Sequence, residues 1–146
     1  METKGGFYIS QIKQLQGRIF EKMLSDSGLD ISGGQGRILF VLWQENNLTI
    51  SEISKCTSLA INTVSIVING MVGKGIVERK INPINRRQTI VSLTEHAKSM
   101  ECKYDEVSQR MNTLFYTGFT VEEKDVFESY LERIIQTLLQ YEAKSK

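Results

Sequence analysis

Small polar side chains that can hydrogen-bond the edges of nucleic-acid bases cluster between residues 61 and 71. Apolar residues at Val64, at Val67 or Ile68, and at Met71 recur at the spacing of one helical face. The opposite face then carries Asn62, Thr63, Ser65, Ile66 and Asn69. Asparagine can pair with adenine N6 and N7, serine and threonine with base edges or phosphates, and isoleucine can touch a thymine methyl group. We interpret this face as a DNA contact rather than as an ordinary solvated helix surface.

Two neighbouring arginines form a second candidate contact. Arg86 and Arg87 lie in a segment rich in proline and asparagine, residues 82–87, which is typical of a turn. An arginine at a hairpin tip can enter a narrow, electronegative minor groove, and we assign that role to Arg87 and a phosphate contact to Arg86. The alternative is a solvated turn.

Further cations lie in the same region: Lys55, Lys74, Arg79 and Lys80. They could supply phosphate contacts that position a protein without specifying sequence, or could equally lie at solvated helix ends.

Patterns for catalysis or metal binding are weak. The chain has one histidine, His96, and two cysteines, Cys56 and Cys102, that do not form a CxxC pair. These residues are too few for a zinc site, a catalytic triad or a disulfide framework. We expect both cysteines to act as small hydrophobes, with thiol sensing at Cys56 as the alternative, and we predict no enzyme activity, metal or cofactor.

Hydrophobic periodicity predicts the elements that must position these residues. Apolar residues from Tyr8 to Met23 step by three or four and predict a first long helix that ends near Gly28. After a Ser32 N-cap, residues 37–43 predict a short buried helix. Residues 49–52 fit a capping box that begins a helix of about two turns.

The remaining elements follow in the same way. Thr57 and Ser58 resemble a turn and cap before the second short helix, whose apolar positions begin at Ile61 and which Gly73 and Gly75 end. Residues 76–81 and 88–93 predict a β-hairpin. Helical spacing then returns from Thr94 to Gly118, and a capping box at 120–123 begins the last helix. The apolar stripe of this last helix is too wide for one neighbour, so we expect it to join the first helix in a homodimer interface.

Composition and charge limit the class of protein. With 146 residues, 40% of them hydrophobic and 24% charged, the chain suits one domain. Residues 49–93 carry six basic and two acidic residues, although the net charge is only +1. This local excess is the footprint expected of a unit that faces phosphates, with chance scatter as the alternative. No apolar run approaches the roughly 18 to 20 residues of a membrane span, and no signal-peptide pattern is present, so we expect a cytoplasmic protein without a membrane partner.

Several of these segments resemble, in order, the MarR (multiple antibiotic resistance regulator) family of dimeric winged-helix transcription regulators. The matching motifs are Leu48-Thr49-x-x-Glu52-Ile53-Ser54, Thr63-Val64-Ser65, Met71-Val72-x-Lys74-Gly75-Ile76-Val77-Glu78-Arg79, Asn85-Arg86-Arg87 and Val91-x-Leu93-Thr94. The resemblance implies a mainly α fold with a small β-hairpin wing, in one domain over 1–146. A winged helix-turn-helix unit is expected at about 33–93, and dimerisation helices at about 7–27 and 94–143. The fourth helix would enter the major groove and the wing the minor groove.

The chain departs from the family pattern at some positions. Asn85 stands where the family usually has aspartate, which removes a carboxylate that would orient the wing arginine. Ile66 and Gly70 stand where a basic residue is frequent, and Ala97 where glycine is usual. Fewer cations on the fourth helix imply more apolar contacts in the major groove.

The resemblance also implies a small aromatic or phenolic ligand between the dimer region and the winged helix. The residues assigned to that pocket are Tyr8, Ile12, Phe40, Trp43 and Tyr104.

Together these observations predict a homodimeric, sequence-specific DNA-binding regulator that represses from a pseudo-palindromic operator in double-stranded DNA. Half-sites read in successive major grooves would lie about 10 bp apart. The alternative is a winged helix that binds only protein. An enzyme built on a dimerising winged helix, as in some methyltransferases, is a third possibility.

Overall fold

The computed structural model describes residues 2–145. Its elements in chain order are α1 (Gly5–Asp26), α2 (Gly33–Gln44), β1 (Leu48–Thr49), α3 (Ile50–Thr57), α4 (Ile61–Gly73), β2 (Val77–Ile81), β3 (Thr89–Leu93), α5 (Glu95–Phe115) and α6 (Val121–Lys144). A mainly helical fold with a small β-hairpin is therefore confirmed.

The sheet has three antiparallel strands in the order β1-β3-β2. β2 and β3 form the expected hairpin, with Val77 opposite Leu93 and Ile81 opposite Thr89. Leu48 and Thr49 form the third strand by pairing with Val91 and Ile90. The sequence did not predict this strand, because two residues are too short to show an alternating pattern.

The chain divides into two compact units, one up to Gln109 and one from Arg110 onward. In the first unit, α2 supplies the centre of the core, since Ile38, Leu39 and Leu42 are fully buried. They share this core with Ile53 of α3 and with the inner face of α4. The expectation that residues 37–43 form a buried helix is wrong at Phe40, which is exposed because only one side of α2 meets the core.

The second unit is built around the turn between α5 and α6, where Gly118 has a φ of +87°. Aromatic rings pack around this turn, with the ring centroids of Phe115 and Tyr116 4.9 Å apart and those of Tyr116 and Phe127 6.2 Å apart. The Tyr116 hydroxyl donates a hydrogen bond of 2.5 Å to Glu128 Oε2. α6 has no buried residue among those described. The assignment of 1–146 to a single domain stays a prediction.

Three helices begin with the reciprocal hydrogen bonds of a capping box: α2 at Ser32, α3 at Thr49 and α6 at Thr120. At Thr49, for example, the hydroxyl accepts from the backbone N–H of Glu52 at 3.1 Å, and the Glu52 carboxylate accepts from the backbone N–H of Thr49 at 3.0 Å. Each box satisfies two donors that a helix start would otherwise leave unpaired. The N-caps expected at all three residues are confirmed.

Within residues 2–145, no single helix is both long and apolar enough to cross a membrane; α3 and α4 pass that test only as a bent pair.

Candidate nucleic-acid interface

α3 and α4 form a helix-turn-helix. Three residues, 58–60, separate the helices, which are bent by 111° relative to each other. This angle lies within the range of about 90–120° that is typical of the motif. The geometry presents α4 at the surface with one side against the core.

Side chains of α3 fix the turn between the two helices. The Thr57 hydroxyl donates to the Ile53 carbonyl at 2.7 Å and accepts from the backbone N–H of Leu59 at 3.2 Å. The Ser54 hydroxyl donates to the Leu59 carbonyl at 2.6 Å. Ser58 takes a left-handed conformation with a φ of +61°. The chain thus reverses through short bonds that do not involve α4.

The expected cap of α4 at Thr57 and Ser58 is wrong. α4 begins at Ile61, so its N-cap is Ala60, whose methyl side chain cannot form a hydrogen bond. Thr57 is the last residue of α3, and its hydroxyl bonds within the turn.

The two faces of α4 are those that its spacing predicts. Val64, Ile68 and Met71 are completely buried, and Val67 is partly buried. The outward face exposes Asn62, Thr63, Ile66 and Asn69, with Ser65 half-buried. Ile61 was expected to face inward but is exposed, because it begins the helix beyond the edge of the core. No residue of α4 carries a charge.

The wing tip between β2 and β3 is held by its own asparagines. Asn82 Oδ1 accepts from the backbone N–H of Ile84 at 3.0 Å, and Asn85 Oδ1 accepts from that of Arg87 at 3.2 Å. The backbone N–H of Gln88 also donates to the Asn85 carbonyl at 3.0 Å. Asn85 therefore shapes the backbone at Arg87. Unlike an aspartate, it offers no carboxylate that could orient the Arg87 guanidinium. Arg86 and Arg87 are both exposed at this tip.

The four further cations differ in their surroundings. Lys80 forms an ion pair of 3.4 Å with Glu78, and Lys55 is exposed at the end of α3. The Arg79 guanidinium donates to Asn69 Oδ1. This contact joins the wing to the outward face of α4, and no periodic pattern in the sequence signals it.

Lys74 joins the end of α4 to the start of α2. Its ammonium group donates to Gln35 Oε1 at 2.9 Å and to the Asp30 carbonyl at 3.0 Å. Gln35 Oε1 also accepts from the backbone N–H of Ser32 at 3.2 Å, as part of the α2 capping box. Gln35 is buried, and its amide oxygen connects the two helix ends through partly buried hydrogen bonds.

A cavity of about 590 Å³ lies beside α1 and the start of α2. Phe40 and Tyr104 line it, together with the cations Lys13, Arg18 and Arg37. Burial raises the pKa of Tyr104 to about 12, with Asp105 adding to the shift and Arg37 opposing it, so the phenol is neutral at physiological pH. The cavity thus offers aromatic surface, three cations, the carboxylate of Glu21 and a neutral phenol.

The structure brings together only part of the predicted ligand pocket. The cavity lining includes Phe40 and Tyr104 but not Tyr8, Ile12 or Trp43. Trp43 instead packs on Tyr104 with ring centroids 5.0 Å apart, and donates to the Ala97 carbonyl at 3.2 Å. Tyr8 and Ile12 are exposed on α1.

The structure also places the two cysteines and the histidine. Cys56 and Cys102 are both free and exposed, so the expectation that they pack as buried hydrophobes is wrong. His96 is exposed in the first turn of α5. Among residues 2–145, no group of three or more His, Cys, Asp or Glu side chains could hold a metal ion.

Comparison with known proteins gives consistent matches. Residues 31–89 match the MarR family model. The multiple antibiotic resistance protein MarR of Escherichia coli K12 is 26% identical over 131 residues, covering 89% of this chain and 90% of that protein. A mutant E. coli MarR complexed with operator DNA has a TM-score of 0.81 and 25% identity, covering 88% of this chain and 91% of that one. A MarR transcriptional regulator from Methanosarcina mazei Go1 shares the fold, with a TM-score of 0.82 and 23% identity, over 93% of this chain and 96% of that one.

Proposed function

We propose that this chain acts as a MarR-family winged-helix transcription regulator, namely a homodimeric repressor bound to a pseudo-palindromic operator. In this proposal α4 enters the major groove and the wing reaches the minor groove. Asn62, Thr63, Ser65, Ile66 and Asn69 contact base edges or the adjacent phosphates. Arg87 enters the minor groove and Arg86 meets a phosphate.

The observation that carries the proposal is the outward face of α4 formed by residues 62, 63, 65, 66 and 69, which holds small polar groups and Ile66 but no charge. A face that served only solubility would normally carry lysine and glutamate. Short amide and hydroxyl groups can approach base edges closely, and a free isoleucine suits a thymine methyl group.

The distribution of charge supports the same orientation. Residues 49–93 hold six basic and two acidic residues, and the wing arginines are exposed at its tip. Operator DNA bound to the E. coli MarR mutant gives this fold a nucleic-acid partner in a relative. We infer that phosphate neutralisation provides much of the affinity and that binding weakens steeply as salt rises.

Exposed apolar residues on α1 and on α6 support a dimer. α1 exposes Phe7, Ile12 and Ile19, and α6 exposes Tyr130 and Leu138. Faces of this kind are costly in water and suit a second copy of the chain. A two-fold dimer requires half-sites about 10 bp apart, so the operator is a pseudo-palindrome, and a bound dimer would exclude polymerase from the same DNA. Free, exposed cysteines suit the reducing cytoplasm.

The cavity beside α1 and α2 suits a small aromatic or phenolic acid as effector. Its volume of about 590 Å³ is in the range of small-molecule sites. Phe40 and Tyr104 would stack on the ring, and Arg18 or Arg37 would pair with the carboxylate. Tyr8, Ile12 and Trp43 are outside the lining, and the exposed Tyr8 and Ile12 fit the dimer face better.

The test is a search for the operator. Purified protein is incubated with sheared genomic DNA from its source at moderate salt, and the recovered fragments are sequenced. The same experiment is run with Arg87→Ala and with Lys103→Ala, a control that removes one exposed positive charge outside residues 49–93. We expect enrichment of one pseudo-palindrome, which Arg87→Ala weakens and Lys103→Ala does not.

Two outcomes would count against the proposal. If no fragment is enriched at any salt concentration, a winged helix that binds only protein becomes the better explanation. If both variants weaken binding equally, net charge rather than the wing accounts for the affinity.

A further inference from the structure

The pairing of Arg79 with Asn69 joins the wing to the face of α4 that the proposed function assigns to DNA. Gly75, with a φ of +72°, reverses the chain after α4, and the backbone N–H of Ile76 donates to the Met71 carbonyl at 3.0 Å. β2 therefore starts at the end of α4, and its Arg79 guanidinium reaches Asn69 Oδ1. Both side chains are exposed.

The chemistry of the two groups fixes the orientation of the amide. A guanidinium has five N–H donors and no acceptor, so only the oxygen of the Asn69 amide can face it. The Asn69 amino group, Nδ2, has no hydrogen-bond acceptor among residues 2–145 and remains available for an external partner. An asparagine without such a neighbour could turn either its oxygen or its amino group toward a base.

We propose that Arg79 is a positioning residue that presents Asn69 to the major groove as a hydrogen-bond donor, and so determines which base is read there. This inference rests on the proposed function. In the major groove, the purines offer N7, guanine also O6, and thymine O4 as acceptors, whereas cytosine offers only its N4 amino group, a donor. Asn69 held in this way can donate a hydrogen bond to adenine, guanine or thymine, but not to cytosine. Arg79 thereby acquires a role in sequence choice rather than the phosphate contact expected from its charge.

Lys80, the neighbour of Arg79 in the sequence, provides a control. Lys80 is the next residue of β2, is also exposed and carries the same charge, but it pairs with Glu78 at 3.4 Å. Successive strand residues point to opposite faces of the sheet, so removing Lys80 matches the loss of charge while Asn69 keeps its partner.

The experiment begins with full-length wild-type protein and a pool of duplexes carrying a random 30-bp segment, from which a consensus is selected. Duplexes with each of the four bases at every half-site position are then titrated with the wild type and with Arg79→Ala, Asn69→Ala, Asn69→Asp, the Arg79→Ala/Asn69→Ala double variant and Lys80→Ala. The dissociation constant, its dependence on salt and the Tm of each variant are measured.

We expect one position in each half-site at which the wild type binds a cytosine duplex about tenfold more weakly than the preferred base. Arg79→Ala and Asn69→Ala should both reduce this preference to about twofold or less, at the same position, and the double variant should be no worse than Asn69→Ala. Asn69→Asp keeps an acceptor for Arg79 but loses the donor, so it should shift the preference toward cytosine. Lys80→Ala should leave the base preference unchanged.

Other results would overturn the inference. If Arg79→Ala weakens every duplex equally and reduces the salt slope by about one unit, Arg79 is a phosphate contact. If it lowers the Tm and leaves base preference intact, the pair is only structural. If the wild type selects no consensus, the proposed function itself fails and this inference fails with it.

Discussion

Ile66 is the most exposed large apolar residue of α4, with 70% of its surface accessible. We predict that Ile66→Ala leaves the Tm unchanged but weakens binding to the selected operator by about 1 kcal/mol, the value of roughly one buried methylene group. Anisotropy titrations would measure this loss. Replacing thymine by uracil in the half-sites removes the methyl group from the DNA side, so the same replacement should weaken the wild type and not the variant.

Val72→Ala is the matched control for Ile66, because Val72 is an exposed β-branched residue near the end of the same helix, about 240° around it. An equal uracil effect on the wild type and on Ile66→Ala would contradict the methyl contact.

The carboxylate of Glu52 contributes to the stability of α3 in a way that depends on pH. The backbone N–H and then the hydroxyl of Thr49 lower the pKa of Glu52 below its ordinary value of 4.5. Because the folded pKa is depressed, the carboxylate contributes stability above pH 4.5 that is lost as the pH falls through the folded pKa. We predict that Glu52→Gln lowers the Tm at about pH 7 and that this difference shrinks as the pH falls through the lowered pKa of the folded protein. Glu106→Gln, which removes one exposed carboxylate from α5, is the control variant.

At the scale of elements, the sequence predicted what depends on neighbours along the chain. The capping boxes at Thr49 and Thr120, the hairpin and the buried face of α4 all follow from spacings of two to four residues. Contacts made through chain reversal were missed, because the partners are far apart in sequence. Arg79 lies ten residues from Asn69 and Lys74 lies 39 from Gln35. No local pattern marks either pair, and each depends on how the whole winged helix folds.

The contact between Lys74 and Gln35 is the interaction we expect to fix α4 against α2. Gln35→Ala leaves the Lys74 ammonium and the backbone N–H of Ser32 without their shared acceptor. We predict a loss of about 1–2 kcal/mol in the free energy of unfolding, the usual contribution of hydrogen bonds of which one involves a charged group, measured by urea denaturation. Asp30→Ala is the control, because its side chain is 93% exposed and surface ion pairs are worth about 0–1 kcal/mol. Equal losses in the two variants would mean that the charge pair, not the amide, fixes the helix.

For the whole molecule, positive and negative charge are separated along the chain. Residues 49–93 have an excess of four positive charges from six basic and two acidic residues, whereas residues 94–146 have an excess of three negative charges from seven basic and ten acidic residues. The acidic segment includes α6, whose apolar residues are exposed. The negative charges of residues 94–146 repel DNA phosphates, so the two proposed interfaces do not compete. DNA binding is favoured at the winged helix, and contact with a second copy is favoured at α1 and α6.

This separation makes assembly and DNA affinity testable with one substitution on α6. Leu138 is 62% exposed in the single chain, and Leu138→Glu would place a charge in the proposed dimer interface without disturbing a buried core. We predict a monomer by sedimentation velocity, with helix content unchanged by circular dichroism. The monomer should bind the full palindrome at least about 100-fold more weakly, because two linked half-sites no longer act together. Its affinity for a duplex with one half-site should equal that of the wild type.

The control for Leu138→Glu adds the same charge on the opposite side of the helix. Gln136 lies two residues before Leu138, about 200° around α6, so Gln136→Glu should remain dimeric and bind the palindrome normally. If Leu138→Glu also remains dimeric, the apolar face of α6 is not the interface. If it becomes monomeric but still binds the palindrome as tightly as the wild type, the two-fold operator is wrong, because a single winged helix would then account for all of the affinity.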